Sequence, residues 1–218
     1  LDSETLAKTA FRMGRVRKFL ESETQRLMAS SVVFFDEGYA EVNPAPFREA
    51  HEEIALRALA KVLLHVAAGT YPPRLESLER LYRALKDEGF KGATLMGCRV
   101  LPAGRGLGAL LVVREAAAIK DAIPLKGGGC EAFDGRFQVA LAKGAKGGVV
   151  KALNETGWRA LVRKRPELKN NPLPHAVKIS LPALFRRGQV AEAPQLGHPK
   201  RGGALSVEPA ARRPVLWL

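Results

Sequence analysis

The stretch Cys130-Glu131-Ala132-Phe133-Asp134-Gly135-Arg136-Phe137-Gln138-Val139-Ala140-Leu141 follows a break at Gly127-Gly128-Gly129. Asp-Gly between two aromatic residues predicts a tight turn or bulge, because glycine takes positive φ at no steric cost. Phe137, Val139 and Leu141 then alternate with the period of a half-buried strand. Arg136 is one place out of that phase and is expected to face away from Phe137. Working outward from this turn, the chain before it reads as a helical platform and the chain after it as a strand-rich, basic unit.

Upstream, residues 2–29 predict one long helix, capped by Asp2 or Ser3 and striped by Leu6, Ala10, Met13, Val16, Leu20 and Leu27. Arg12, Arg15, Arg17 and Lys18 crowd its other side as a solvated face. Val32-Val33-Phe34-Phe35 reads as a short strand before a turn at Gly38. After Pro44 and Pro46, a second helix is expected over Phe47–Ala68, apolar on more than one face and therefore central. His51 and His65 lie on it too far apart to share a metal within one turn, and both read as structural. A third helix follows the Tyr71-Pro72-Pro73-Arg74 corner, with Leu75, Leu78, Leu81, Tyr82 and Leu85 inward, ending near Gly89.

After Gly92 the pattern changes. Residues 94–101 and 108–115 predict a hairpin around Pro102–Gly106. The run Gly104-Arg105-Gly106-Leu107-Gly108 lies between strands and not before a helix, so it reads as a turn and not as a phosphate loop. Residues 116–129 look loop-like. Lys143-Gly144-Ala145-Lys146-Gly147-Gly148 is a flexible basic loop. Residues 154–165 predict a helix anchored by Trp158, Leu161 and Val162, with Arg159, Arg163 and Lys164 presenting charge and Pro166 stopping it. A short helix over Ala176–Leu181, a strand at Gln189–Ala193, a basic loop at His198–Gly203 and final strands at 204–208 and 214–218 complete the reading. The fold class is α+β: an N-terminal helical bundle over residues 1–90, then a smaller mixed α/β, strand-rich basic domain over 91–218.

The formal net charge of +13 is unevenly placed: residues 1–90 hold 13 Lys/Arg against 14 Asp/Glu, and residues 91–218 hold 22 against 8. That asymmetry points to a polyanion-binding surface on the second half. No basic amphipathic helix with a strong apolar face accompanies it, which argues against a membrane surface. Cys98 and Cys130 have neither metal-ligand nor disulfide spacing and read as reduced core residues of a cytoplasmic protein. No apolar run reaches the roughly 18 residues of a membrane span. The chain opens on Leu, not Met, which reads as a piece of a longer one. No nucleophile–base pair or carboxylate cluster stands out.

Several landmarks in order carry a resemblance: Tyr71-Pro72-Pro73-Arg74-Leu75, Leu78-Glu79-Arg80-Leu81, Gly97-Cys98-Arg99-Val100, Arg114-Glu115, Phe133-Asp134-Gly135-Arg136-Phe137, Gly157-Trp158-Arg159 and Leu181-Pro182-Ala183-Leu184. Through most of its length the chain resembles the C-terminal portion of tRNA(Ile)-lysidine synthase, particularly the alphaproteobacterial branch. That family often has Trp before Asp-Gly-Arg-Phe; here it is Phe133, a conservative exchange for a packed aromatic. The resemblance implies a parent enzyme that is an ATP-dependent carbon–nitrogen ligase. It adenylates the wobble cytidine of tRNA(Ile) and lets free lysine displace AMP. ATP with magnesium is then expected in an N-terminal PP-loop domain that packs against this chain. The Ser-Gly-Gly-x-Asp-Ser type loop of that domain does not occur in this sequence, so the chain by itself is expected to be inactive. Its partner is expected to be tRNA(Ile), with Arg136, Arg159, Arg163, Lys164 and Arg165 on the RNA, joined by Lys143 and Lys146. A homodimer is compatible with this reading. The alternatives are a stand-alone RNA-binding or ribosome-associated module with no catalytic activity, and an interaction domain whose charge serves solubility.

Overall fold

The computed structural model describes residues 2–87, 89–103 and 108–211. Helix α1 runs Ser3–Ser31, and the Asp2 carboxylate accepts the Glu4 N–H at its start. Its C-terminal end is packed through Thr24, Leu27 and Ser31, whereas residues 3–19 are exposed, including Phe11, Met13, Val16 and Phe19. Strands β1 (Val32–Phe35) and β2 (Tyr39–Val42) form a hairpin that turns at Gly38.

The single helix expected over Phe47–Ala68 is two: α2 (Pro44–Glu49) and α3 (Glu52–Ala67). The break has a local cause. The His51 imidazole accepts the Glu53 N–H at 3.2 Å, and Glu52 and Glu53 occupy the first turn, so a fresh N-terminus starts there. His65, further along α3, packs its ring on Phe34 with centroids 3.8 Å apart. Helix α4 (Leu75–Leu85) buries Leu78, Leu81, Tyr82 and Leu85 on one face, as its 3.6-residue period predicts.

Strands β3 (Ala93–Leu95), β4 (Cys98–Pro102) and β5 (Leu110–Arg114) join β1 and β2 in one antiparallel sheet, ordered β1-β2-β5-β4-β3. Most of the Gly104–Gly108 run falls outside the described residues, as do the candidate strand at 214–218 and its neighbouring arginines. One face of the sheet (Ala40, Val42, Cys98, Val100, Leu110, Val112) lies in a core with α3 and α4. Tyr39, Leu111 and Val113 on the other face belong to a second core, with the rest of the chain. The sequence puts the divide at residue 90; the packing has strands from both sides of that residue sharing one sheet.

Beyond a 3-10 turn at Ala116–Ala118, the second half contains β6 (Ala122–Leu125), β7 (Cys130–Phe133), β8 (Phe137–Leu141), β9 (Gly148–Ala152), α5 (Asn154–Lys164), α6 (His175–Ser180), β10 (Pro182–Arg186), β11 (Gln189–Glu192) and β12 (Leu205–Pro209). They make two antiparallel sheets, β11-β10-β9-β6 and β12-β8-β7. The loop expected over 116–129 therefore contains a strand, β6. Its Pro124 weakens the sequence signal, and the fold tolerates it by placing β6 at a sheet edge. Helix α5 packs on the four-stranded sheet through Gly157, where a Cβ would meet Leu153, Phe185 and Val190 at 3.0–3.3 Å. Trp158 is buried, as expected.

Cys98 is buried and its thiol is pushed up to about 12 by that burial, which leaves it inert. Cys130 departs from the expectation of a core residue. It is exposed, because β7 is an edge strand whose first three residues lie outside the core.

Candidate nucleic-acid interface

The Asp134-Gly135 turn is built as read: both residues have positive φ and the Arg136 N–H donates to the Phe133 carbonyl at 3.1 Å, a type I′ hairpin turn. Arg136, however, does not reach the surface. It belongs to the turn and not to the alternating strand, and it is 4% exposed. Its guanidinium lies 4.8 Å over the Phe137 ring, Nε donates to Asp134 at 2.7 Å and Nη2 donates to the Ser180 carbonyl at 2.8 Å. Arg136 therefore leaves the set of candidate RNA contacts.

The same Asp134 carboxylate accepts two further bonds from Arg114 at 3.1 Å, and Arg114 also donates to the Gly97 carbonyl at 3.1 Å. The Asp134 N–H donates to Asp121 at 2.7 Å. Burial pulls the Arg136 pKa below its ordinary value, with Asp134 opposing that pull. Four landmarks of the sequence resemblance (Gly97, Arg114, Asp134, Arg136) thus meet in one buried node. It ties the five-stranded sheet to the β7–β8 hairpin and, through Ser180, to α6.

The cations that do face solvent gather elsewhere. Strand register sets Gln189 opposite Arg186, Phe185 opposite Val149, and Leu125 opposite Gly148. One end of the four-stranded sheet is therefore a row running β11 to β10 to β9 to β6. Around that row stand Lys164, whose Nζ donates to Gln189 at 2.8 Å, and Arg186, which donates to the Lys146 carbonyl at 2.8 Å. Lys143 packs against the Gly127–Gly129 turn that follows β6, next to Lys126, and Arg187 occupies the tip of the β10–β11 turn. The three loops, 126–129, 143–148 and 186–189, contain no acidic residue. Close backbone approach holds them together: a Cβ on Gly127 would meet the Ala145 carbonyl at 2.6 Å and one on Gly147 the Leu125 carbonyl at 2.9 Å.

Helix α5 extends this row. Arg163 and Arg159 are one turn apart on its exposed face; Arg159 is paired with Glu155 at 2.9 Å. Arg165 turns away, bonded to Glu167 at 3.1 Å and to the Gly197 carbonyl at 2.9 Å. Of the sequence candidates, Lys143, Lys146 and Lys164 stand around this sheet end and Arg163 and Arg159 lie on the exposed face of α5, the helix that Lys164 ends, whereas Arg136 is buried and Arg165 is engaged with its neighbours. Lys126, Arg186 and Arg187 were missed. Each lies in or beside a short turn, and what unites them is cross-strand register.

Glu192 braces the strip from beneath. It is 4% exposed and accepts from Arg186 at 2.9 Å and from the Ala204 and Leu205 N–H groups at 2.6 and 2.8 Å. Burial pushes this carboxyl up, but the Leu205 and Ala204 N–H groups and Arg186 together outweigh it and hold the pKa below the ordinary value. A depressed carboxylate pKa contributes stability that is present above the unfolded-state pKa and is lost as pH falls through the folded-state pKa. Glu192→Gln is expected to cost about 1.5–3 kcal/mol at pH 7, the range for hydrogen bonds to a charged group. The gap to the unmodified protein should close as pH falls below about 4. Urea unfolding at pH 7, 5 and 3.5 measures this; a gap independent of pH counts against it.

No family model matches the chain. Among curated proteins it is 28% identical to one from Ruegeria pomeroyi over 197 residues, which cover 90% of this chain and 44% of that protein. It is 32% identical to one from Wolbachia pipientis over 120 residues (55% and 27%) and 48% identical to one from Hyphomonas neptunium over 65 residues (29% and 17%). By sequence the chain is similar to proteins of one tRNA-modification family. The three relatives are tRNA(Ile)-lysidine synthases, so the resemblance carried by the motifs is borne out. The chain spans less than half the length of the curated relatives it matches. Among the described residues no helix is long and apolar enough to cross a membrane.

Proposed function

We propose that the chain is the tRNA-recognising C-terminal region of a tRNA(Ile)-lysidine synthase, and that the cationic strip holds the phosphate backbone of tRNA(Ile). The observation that carries this reading is the strip itself. Lysines and arginines from three loops and one helix, distant in sequence, are gathered along one sheet end with no carboxylate in those loops. Such cations supply affinity through counterion release, and RNA shape supplies much of the selectivity.

In this reading ATP and magnesium belong to an N-terminal PP-loop domain, which carries out the ligation of lysine in the cytoplasm. The exposed apolar residues of α1, Phe11, Met13, Val16 and Phe19, offer that domain a face. The chain alone, given ATP, lysine and tRNA, is expected to form no lysidine.

The test is titration of the chain with a tRNA(Ile) transcript across a salt series. Affinity is expected to fall linearly on logarithmic axes with a slope of several units, about 0.9 per neutralised phosphate in a duplex. A flat salt dependence counts against the proposal.

A further inference from the structure

A second feature lies at the other end of the strip. Between the five-stranded sheet and the start of α6 is a cleft of about 460 Å³, lined by Glu41, Arg99, Leu101, Leu111, Pro174 and His175 among others. That volume is in the range of small-molecule sites. Its floor is apolar: register puts Glu41, Leu111 and Leu101 in one row across β2, β5 and β4. Arg99, half-buried, sits one row on, opposite Val113. Standard strand spacings place Glu41 and Arg99 roughly 12 Å apart at the backbone. Neither side chain makes a hydrogen bond or ion pair among the described residues, although both are partly withdrawn from water. Two half-buried opposite charges at the two ends of an apolar floor describe the complement of a ligand with a polar donor edge at one end and an anion at the other.

The wall opposite the floor is held in place. The His175 ring bonds Glu155 at 2.8 Å and meets the Trp158 ring edge-on at 6.1 Å between centroids. Glu155 is also the carboxylate that pairs with Arg159. The last cation of the strip and the wall of the cleft are thus fixed by one side chain, and a strand followed along α5 arrives at the cleft mouth.

We infer that the cleft takes a single unpaired nucleotide of the RNA held by the strip. The base lies between His175 and the Leu101/Leu111 floor, its amino or imino donors meet Glu41, and its phosphate meets Arg99. Single-stranded RNA is recognised in this way, by splayed bases stacked on side chains and read at their edges. The inference rests on the RNA-binding reading of the strip and adds an unpaired, base-bearing segment as the thing recognised.

Fluorescence anisotropy with the full chain at fixed low salt tests it, using an RNA hairpin with a blunt stem, the same hairpin with a four-nucleotide unpaired tail at either end, and the tailed form with abasic sugars. One tail is expected to tighten binding about tenfold, the lower part of what one stacked base supplies, and the abasic tail is expected to add nothing. The double variant Arg99→Gln/Glu41→Gln should abolish the gain while binding the blunt hairpin as before, which also shows that it folds. Equal binding of blunt and tailed RNA, an equal gain from the abasic tail, or a gain untouched in the double variant overturns the inference and leaves the strip reading intact. Failure of every RNA to bind overturns both.

Discussion

Replacing Asp134 with alanine is expected to lower folding stability by about 3–5 kcal/mol, the range for removing one partner from a buried ion pair. The size follows from what is left behind. Arg114 and Arg136 have side chains 14% and 2% exposed, and Asp134 is the carboxylate that neutralises both. Without it, two guanidiniums remain in a site too dry to solvate them. The Nη1 of Arg136 is already buried with no hydrogen-bond partner among the described residues, so the node has little reserve. A companion variant separates charge from packing: Arg136→Met removes one cation and leaves Asp134 matched by Arg114, and should cost less than Asp134→Ala. Urea denaturation of the three proteins decides the matter. A loss below about 1 kcal/mol for Asp134→Ala would falsify the node as the tie between the two cores.

How much of this was legible in the sequence depends on whether a feature is written in local periodicity. α1, α4 and α5 were readable because their apolar residues recur at helical spacing, and the Asp134-Gly135 turn because few residue pairs take two positive φ values in succession. β10 was unreadable for the opposite reason. Pro182 to Phe185 are all buried, so no alternation marks them as a strand. The break between α2 and α3 turned on one imidazole acting as a cap, which periodicity does not register. Arg136 was misjudged because a strand rule was applied one residue inside a turn. The strip was half legible: Lys143, Lys146 and the α5 cations stand in visibly basic tracts. That Arg186 and Lys146 share a sheet end is a fact of register between segments about 40 residues apart.

Reversing charge along the strip is expected to reduce RNA affinity by about two orders of magnitude or more and to flatten its salt dependence by as much as about 0.9 per lost phosphate contact. The variant is Lys143→Glu, Lys146→Glu, Arg163→Glu and Arg187→Glu, four exposed side chains that the buried node and the Glu192 brace do not use. Its control makes the same change in net charge on α1, at Arg12, Arg15, Arg17 and Lys18, also exposed. The comparison matters because a chain of formal charge +13 attracts any polyanion at low salt. If affinity came from that overall field, both variants would lose equally. If it comes from cations aligned by strand register, the strip variant loses affinity and slope together, whereas the α1 variant keeps its slope and loses affinity by a few-fold at most. Anisotropy with a tRNA(Ile) transcript from about 50 to 200 mM salt covers the range in which counterion release separates the two cases. Equal losses from both variants would return the basic half of the chain to a soluble face with surplus charge.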